Sequence, residues 1–413
     1  MRSAAPTLSP TPPRWAWERY VAAITHADGR VSEEGMRALL DERDRDAPWP
    51  EALALGGLAT VWARRGRTFE ALVLFRRAAR LCASLGDLEK ATGAFGCHAL
   101  CLGHLWPHAD PAPALAELEA LLARVPEGEA TIARDAVDVL HAFLAVEAGD
   151  LVEARRRIEA HDGRPPVAGV DVVRKRFTSL TLRSRLAASQ GDAVAADAAL
   201  DEAAALGPVD LGVQLLLDWF RMHAARAAGD VATRLERARK AARAMRPAAP
   251  DDLHAGFRGV VASTVAAELS ACGAPADEVL DAHDAAASAI VTRIAEIDDA
   301  VRALPALGLE DLDADDELAA HRAACAAEAD AALRRVAAYV AERPDRLPAG
   351  FLDRVAAAGW AHVCAWCHRV RTEEGSWLPI GTFLRHARDV AMTHTICAPC
   401  AARAFGVTLR ARA

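Results

Sequence analysis

Aromatic side chains are scarce in this chain, at 5% of residues with only two tyrosines. Such Ala-rich, Gly-punctuated text fits closely packed helices better than sheets, because small residues let helices approach and Ala has the best helix propensity. Long apolar runs are missing too, so no membrane span is expected. Residues Met1–Arg14 lack the apolar core of a signal peptide, which points to the cytoplasm. No P-loop, nucleotide-binding GxGxxG, HExxH or GxSxG string occurs, and the chain is expected not to be an enzyme. Positive charge is in deficit: 49 Lys and Arg face 57 Asp and Glu, a net of −8. That disfavours nucleic-acid binding by bulk electrostatics.

What remains is long enough for structure. The 413 residues, 52% of them hydrophobic, leave room for two or three domains and a continuous core. Nine cysteines without a secretory signal argue for free thiols or metal rather than disulfides.

The chain begins with a Pro/Ser/Thr leader over 1–13 that has nothing to bury and is expected to be disordered. From Trp15 onward helix, Gly-containing turn and helix alternate. Turns fall at Gly66-Arg67, Gly149-Asp150, Gly191-Asp192 and Gly229-Asp230. Five residues after the first three of these glycines stands a small residue, Ala71, Ala154 or Ala196. Four further on stands a large apolar one, Phe75, Ile158 or Leu200. Gly turns the chain, Ala lets the second helix lie close on the first, and the larger residue fills the gap.

The cleanest copy runs from Leu58 through Trp62, Gly66, Ala71 and Phe75 to Ala78. Here the chain resembles the tetratricopeptide (TPR) family, over roughly residues 50–250. Arg234 stands where a small residue is expected, and the repeats run nearer forty residues than thirty-four, so a TPR-like rather than strict TPR array is the expectation. The resemblance implies an α-solenoid of helical hairpins over 14–304, with a groove that binds a protein partner. Between 305 and 350 come an acidic patch, Glu310–Glu317, with six carboxylates in eight residues, and a long helix over Leu318–Arg343 read as a coupling element.

Residues 351–413 hold eight Arg against four Asp and Glu, and they carry the strongest chemistry. Cys364-Ala-Trp-Cys367 and Cys397-Ala-Pro-Cys400 are two CxxC pairs. Each CxxC folds into a knuckle presenting two sulfurs, and two knuckles complete a tetrahedral thiolate site for one structural Zn²⁺. Arg369–Arg371 and Ser376–Leu378 read as a β-hairpin around Gly375, Thr382–Val390 as a helix, and Met392–Ile396 as extended chain. The plan is that of a small α+β module, treble-clef or zinc-ribbon-like. His368, Arg369, Arg371 and Arg403 flank the ligands and would offset the charge of four thiolates. His394, three residues before Cys397, is an alternative ligand or a hydrogen-bond partner of a thiolate.

Over residues 360–405 this segment resembles a Cys-rich module found at the C-termini of bacterial sensory proteins, after PAS and receiver domains. Cys364, Cys367, Arg369, Val370, Arg371, Gly375, Trp377, Phe383, Thr393, His394, Ile396, Cys397, Pro399 and Cys400 carry the match. His368 replaces a usual Lys, and a helical array stands where the sensory domains normally sit. The resemblance implies a signalling context and supplies no reaction.

Other groupings carry less. Cys97, Cys101, His104 and His108 would share one helix face, but about 16 Å of straight helix separates first from last, too far for one metal. His254, His283-Asp284 and Asp298 follow the ligand order of HD-type phosphohydrolases without a second His pair nearby. Trp62 and Trp219 sit at helix-packing places. Arg155–Arg157 and Arg174–Arg176 read as solvated faces. The resulting expectation is a non-enzymatic bacterial adaptor or scaffold. Its alternatives are a redox- or metal-responsive regulator acting through the CxxC pairs, and nucleic-acid binding by the basic C-terminal module.

Overall fold

Gly-Asp dipeptides turn this chain. In the computed structural model Gly86, Gly149, Gly191 and Gly229 have φ of 82°, 77°, 79° and 68°, the left-handed region where a Cβ is costly. The next N–H then closes the preceding helix: Asp87 donates to the Cys82 carbonyl (3.0 Å), Asp150 to Ala145 (2.8 Å) and Asp192 to Ala187 (2.9 Å). The same aspartates start the following helix. Their carboxylates accept the backbone N–H three residues on, from Lys90, Glu153, Ala195 and Thr233, at 2.9–3.0 Å. Each such cap stabilises its helix by about 1 kcal/mol.

The structure describes residues 32–41, 48–65, 67–104, 109–127, 129–165, 172–207, 211–245, 255–307, 314–342, 351–358, 360–364, 369–372, 377–387 and 391–395, with Pro12, Arg14, Ala16, Glu18, Tyr20 and Val21. The rest of the expected leader lies outside these residues. The described chain is mostly helical, with one small sheet near the C-terminus. The helices are α1 (Glu33–Asp41), α2 (Trp49–Arg64), α3 (Thr68–Ser84), α4 (Leu88–His104), α5 (Ala112–Leu122), α6 (Thr131–Ala148), α7 (Leu151–Gly163), α8 (Val172–Ser189) and α9 (Ala193–Ala205), followed by α10 (Leu211–Ala227), α11 (Val231–Met245), α12 (Ala255–Ala271), α13 (Ala276–Ala303), α14 (Ala314–Glu342), α15 (Phe351–Ala358) and α16 (Gly381–Ala387). Among the described residues no helix is long and apolar enough to cross a membrane.

The chain divides into two compact units, residues 1–208 with 296–321, and residues 209–295 with 322–413. In the first, each helix from α1 to α9 packs on the next, and α4 also packs on α6 and α6 on α8. In the second, α10, α11 and α12 pack in sequence, and α10 also reaches α12. Contacts to the next helix and to the next but one are what stacked helical hairpins produce. The expected small-then-large positions are buried: Ala71 and Phe75, Ala154 and Ile158, Ala196 and Leu200. A fourth copy follows Gly86, with Ala91 and Phe95 buried at the same spacing. Small residues set the closest approaches. A Cβ on Gly96 of α4 would stand 3.3 Å from the Ala133 backbone in α6.

Arg234 departs from the pattern for a visible reason. Its guanidinium grips the buried Glu268 carboxylate of α12, at 2.8 and 2.5 Å. Trp62 and Trp219 are core residues, as their positions implied: the Trp62 indole donates to Glu33 at 3.1 Å and the Trp219 indole to Thr264 at 3.1 Å. The basic runs are partnered by acids. Arg157 bridges Glu153 and Asp138, Lys175 reaches Asp135, and Arg176 meets Glu202. The long helix expected over 318–343 forms as α14, starting within the acidic patch.

Candidate functional site

Four short strands follow α15: β1 (Trp360–Cys364), β2 (Val370–Arg371), β3 (Trp377–Leu378) and β4 (Ala391–Thr395), in sheet order β3-β2-β1-β4. The expected hairpin is β2–β3, pairing Val370 with Leu378 and Arg371 with Trp377. The expected helix and final extended segment are α16 and β4. β1 was not expected. Trp360-Ala-His-Val-Cys364 alternates exposed and buried up to Val363, the period-2 pattern of a strand.

β1 decides the geometry of the cysteines. It pairs antiparallel with β2 through Val363 and Val370, and the Cys364 N–H donates to the Arg369 carbonyl at 2.8 Å. β1 also pairs in parallel with β4, Trp360 opposite Ala391 through to Cys364 opposite Thr395. Because the two strands run the same way in register, the chain leaves both at the same edge of the sheet. Cys364 ends β1, and Cys397 follows the end of β4 by two residues.

Cys364 is fully buried. Cys367, Cys397 and Cys400 lie outside the described residues, and of His394 only its strand position, opposite Val363, is described. Among the described residues no group of three or more His, Cys, Asp or Glu is placed to hold a metal ion. The donor set of four thiolates fits Zn²⁺ chemically, and the parallel register ends β1, at Cys364, and β4, at Thr395, at the same end of the sheet.

The sheet has little core of its own. Ala361, Val370, Ile380, Phe383 and Leu384 are buried together with Val355 of α15, Leu280 of α13, and Val336 and Val340 of α14. Polar contacts reinforce the seat. The Asp284 carboxylate accepts the backbone N–H groups of Thr382 (3.1 Å) and Phe383 (3.3 Å) and the Thr382 hydroxyl (3.2 Å). It thereby caps the first turn of α16 from another helix. Burial pushes the Asp284 carboxyl up to about 7, against the pull of the Phe383 and Thr382 donors. One turn earlier on α13, Asp281 holds Arg369 at 2.9 Å. Arg369, expected to offset the charge of the thiolates, thus also holds an acid of α13.

The HD-type grouping gains no support from these contacts. Asp284 is committed to Thr382 and Phe383, and His254 lies outside the described residues. Cys97 is half-buried and Cys101 buried on α4, while His108 lies outside the described residues. Burial pushes the nearby Cys82 thiol up to about 12, so it is no nucleophile at neutral pH.

No protein-family model matches the chain, and no curated protein matches it either.

Proposed function

We propose that the chain is a non-enzymatic adaptor of bacterial signalling. Its stacked helical hairpins form a TPR-like α-solenoid that binds a protein partner, and residues 351–413 form a module built around one structural Zn²⁺ on Cys364, Cys367, Cys397 and Cys400. The observation that supports this most is the parallel register of β1 and β4, which ends both strands at the same end of the sheet, with Cys364 closing β1 and Cys397 two residues past β4 in sequence. Zinc bound there would cross-link the two knuckles and supply the stability that a four-stranded sheet of two- to five-residue strands lacks. The complete burial of Cys364 favours a structural ligand over a redox-labile thiol.

The partner surface has a candidate edge. Val152 and Val194 occupy the same position, two residues past the Gly-Asp capping aspartate, at the starts of α7 and α9, and each is 82% exposed. Repeated apolar exposure at equivalent places of successive hairpins suits an extended protein ligand.

Elemental analysis tests the metal part. One zinc per chain, lost in Cys397→Ser/Cys400→Ser with unfolding confined to the C-terminal module, supports the reading. Zero metal with four freely titrating thiols overturns it. For the adaptor part, a partner recovered on the full chain and lost on Val152→Asp/Val194→Asp, with unchanged circular dichroism, supports the edge.

A further inference from the structure

The adaptor reading leaves one face of the C-terminal sheet without a role. The other face is core: Ala361, Val370, Leu378 and Met392 belong to the apolar cluster shared with α13, α14 and α15. Side chains alternate across a strand, so the neighbours of these residues stand on the opposite face. The register aligns them. Arg371 pairs with Trp377, and His362 with Thr393. One step along the antiparallel pair Val363–Val370, His362 falls opposite Arg371. Trp377, Arg371, His362 and Thr393 therefore form one row across all four strands, and Trp360 shares their face two residues before His362.

This outer face is aromatic and basic, and part of it is held in place. Trp360 is 48% exposed; among the described residues the other large apolar side chains left this exposed are Ile and Val, never an aromatic. Its ring meets that of His362 edge to face, with centroids 4.9 Å apart. His362 is fixed in turn from β4: its Nδ1 lies 2.8 Å from the Thr393 hydroxyl, which also donates to the Ala361 carbonyl at 3.3 Å. Trp377 stands half-buried at the far side of the row. Between the two aromatic positions Arg371 is exposed, and its guanidinium makes no ion pair among the described residues. None of the four strands contains Asp or Glu. Residues 351–413 as a whole hold eight Arg against four acids, so the negative net charge of the chain lies outside them.

We propose that this face binds single-stranded nucleic acid. Bases stack on Trp360 with His362 and on Trp377, and Arg371 between them takes a backbone phosphate. The strands carrying the two aromatic positions, β1 and β3, are two intervals apart, about 10 Å. Stacking is open to every base, since each has a π-face, but it needs bases freed from a duplex. The chemistry of the face sets other occupants aside. A polyanion without rings leaves Trp360 in water, and an apolar peptide buries Arg371 with no counter-charge. A nucleic-acid strand brings ring and phosphate together at each residue. This role goes beyond the adaptor reading and belongs to the second unit alone.

Fluorescence anisotropy of the full chain tests this with labelled RNA and DNA single strands of one sequence, about 12 nucleotides long. The matching duplex and a peptide rich in Glu and Trp serve as comparisons. Saturable binding of either strand, about tenfold or more tighter than the duplex and weakening between about 50 and 200 mM salt, supports the proposal; the tighter strand identifies the sugar. Trp360→Ala should weaken binding about tenfold, and Trp360→Tyr should keep most of it. Arg371→Gln should flatten the slope of log affinity against log salt by about 0.7, the share of one phosphate on a single strand. Arg176→Gln removes an arginine from the first unit and should change nothing. Absence of saturable binding by both strands at low salt overturns the proposal. So does a duplex or an acidic peptide bound as tightly as the strands, or a folded Trp360→Ala variant that binds normally. Arg371 is exposed, so its replacement tests the face even where Trp360→Ala does not fold, and an unchanged salt slope overturns the proposal too.

Discussion

Replacing Asp284 tests how the C-terminal module is held, and its pH dependence makes the test specific. The ordinary carboxyl value is 3.8, and burial raises it to about 7 in the folded protein. Between these values the folded state binds more protons at this site than the unfolded state. Stability from this group is therefore fully present below pH ~4 and is lost as pH rises through about 7. A shift of roughly three units corresponds to about 4 kcal/mol across that window. Asp284→Asn imitates the protonated acid and keeps an acceptor for the Thr382 N–H, so it should cost less than about 1 kcal/mol near pH 5 and flatten the profile. Asp284→Ala removes the acceptor and leaves buried N–H groups of Thr382 and Phe383 unpaired, which should cost about 3 kcal/mol at every pH. The assay is urea unfolding of the module, followed by tryptophan fluorescence, for wild type and both variants from pH 4 to 8. Thiolate protonation at acid pH affects all three proteins alike, so the difference between wild type and Asp284→Asn isolates the carboxyl. Parallel profiles for those two proteins would refute the buried-acid reasoning. An Ala variant as stable as wild type would refute the cap itself.

Other outcomes follow from the same structure. His98 titrates with the opposite sign: burial lowers its folded value to about 4, below the ordinary 6.5, so its contribution is present above pH ~6.5 and falls by about 3 kcal/mol as pH drops through 4. His98→Gln should remove that acid-side loss in thermal melts of the full chain. Gly149→Ala places a Cβ at φ 77° with nothing nearby to clash, so it should cost only the backbone strain, about 1 kcal/mol. Asp150→Ala in the same turn should cost about 1 kcal/mol through the lost helix cap. Gly96→Ala meets backbone rather than a movable side chain, and should cost about 2 kcal/mol by forcing α4 from α6. Chemical denaturation checks all three.

The helical array was legible because its punctuation is local. A glycine at positive φ and an aspartate that caps the next helix are neighbours in sequence, so Gly149-Asp150, Gly191-Asp192 and Gly229-Asp230 announce their turns. Gly86-Asp87 uses the same device. The hairpin, the helix and the last strand of the module were likewise legible from alternation and helical spacing. What was not legible is long-range. Nothing in the text around His283-Asp284 says that its carboxylate caps a helix 98 residues later, or that Asp281 would hold Arg369. The row of Trp377, Arg371, His362 and Thr393 draws on four separate strands, and no single stretch of sequence states their register.

These long-range contacts bear on how the module can be studied. Leu280, Val336 and Val340 close its core from outside residues 351–413, and Asp281 and Asp284 hold it from outside as well. Burying the three aliphatic side chains contributes on the order of 5 kcal/mol, comparable to the whole stability of a small domain. A fragment of residues 351–413 discards that burial and exposes Phe383 and Leu384. Zinc on four thiolates would tie its two CxxC segments together and would not replace an apolar face. The module is therefore better regarded as the last layer of the second unit than as an appended domain. Binding measured on the isolated fragment, to nucleic acid or to protein, would report an exposed core as readily as a native surface. Only fragments that retain α13 and α14 can separate the two.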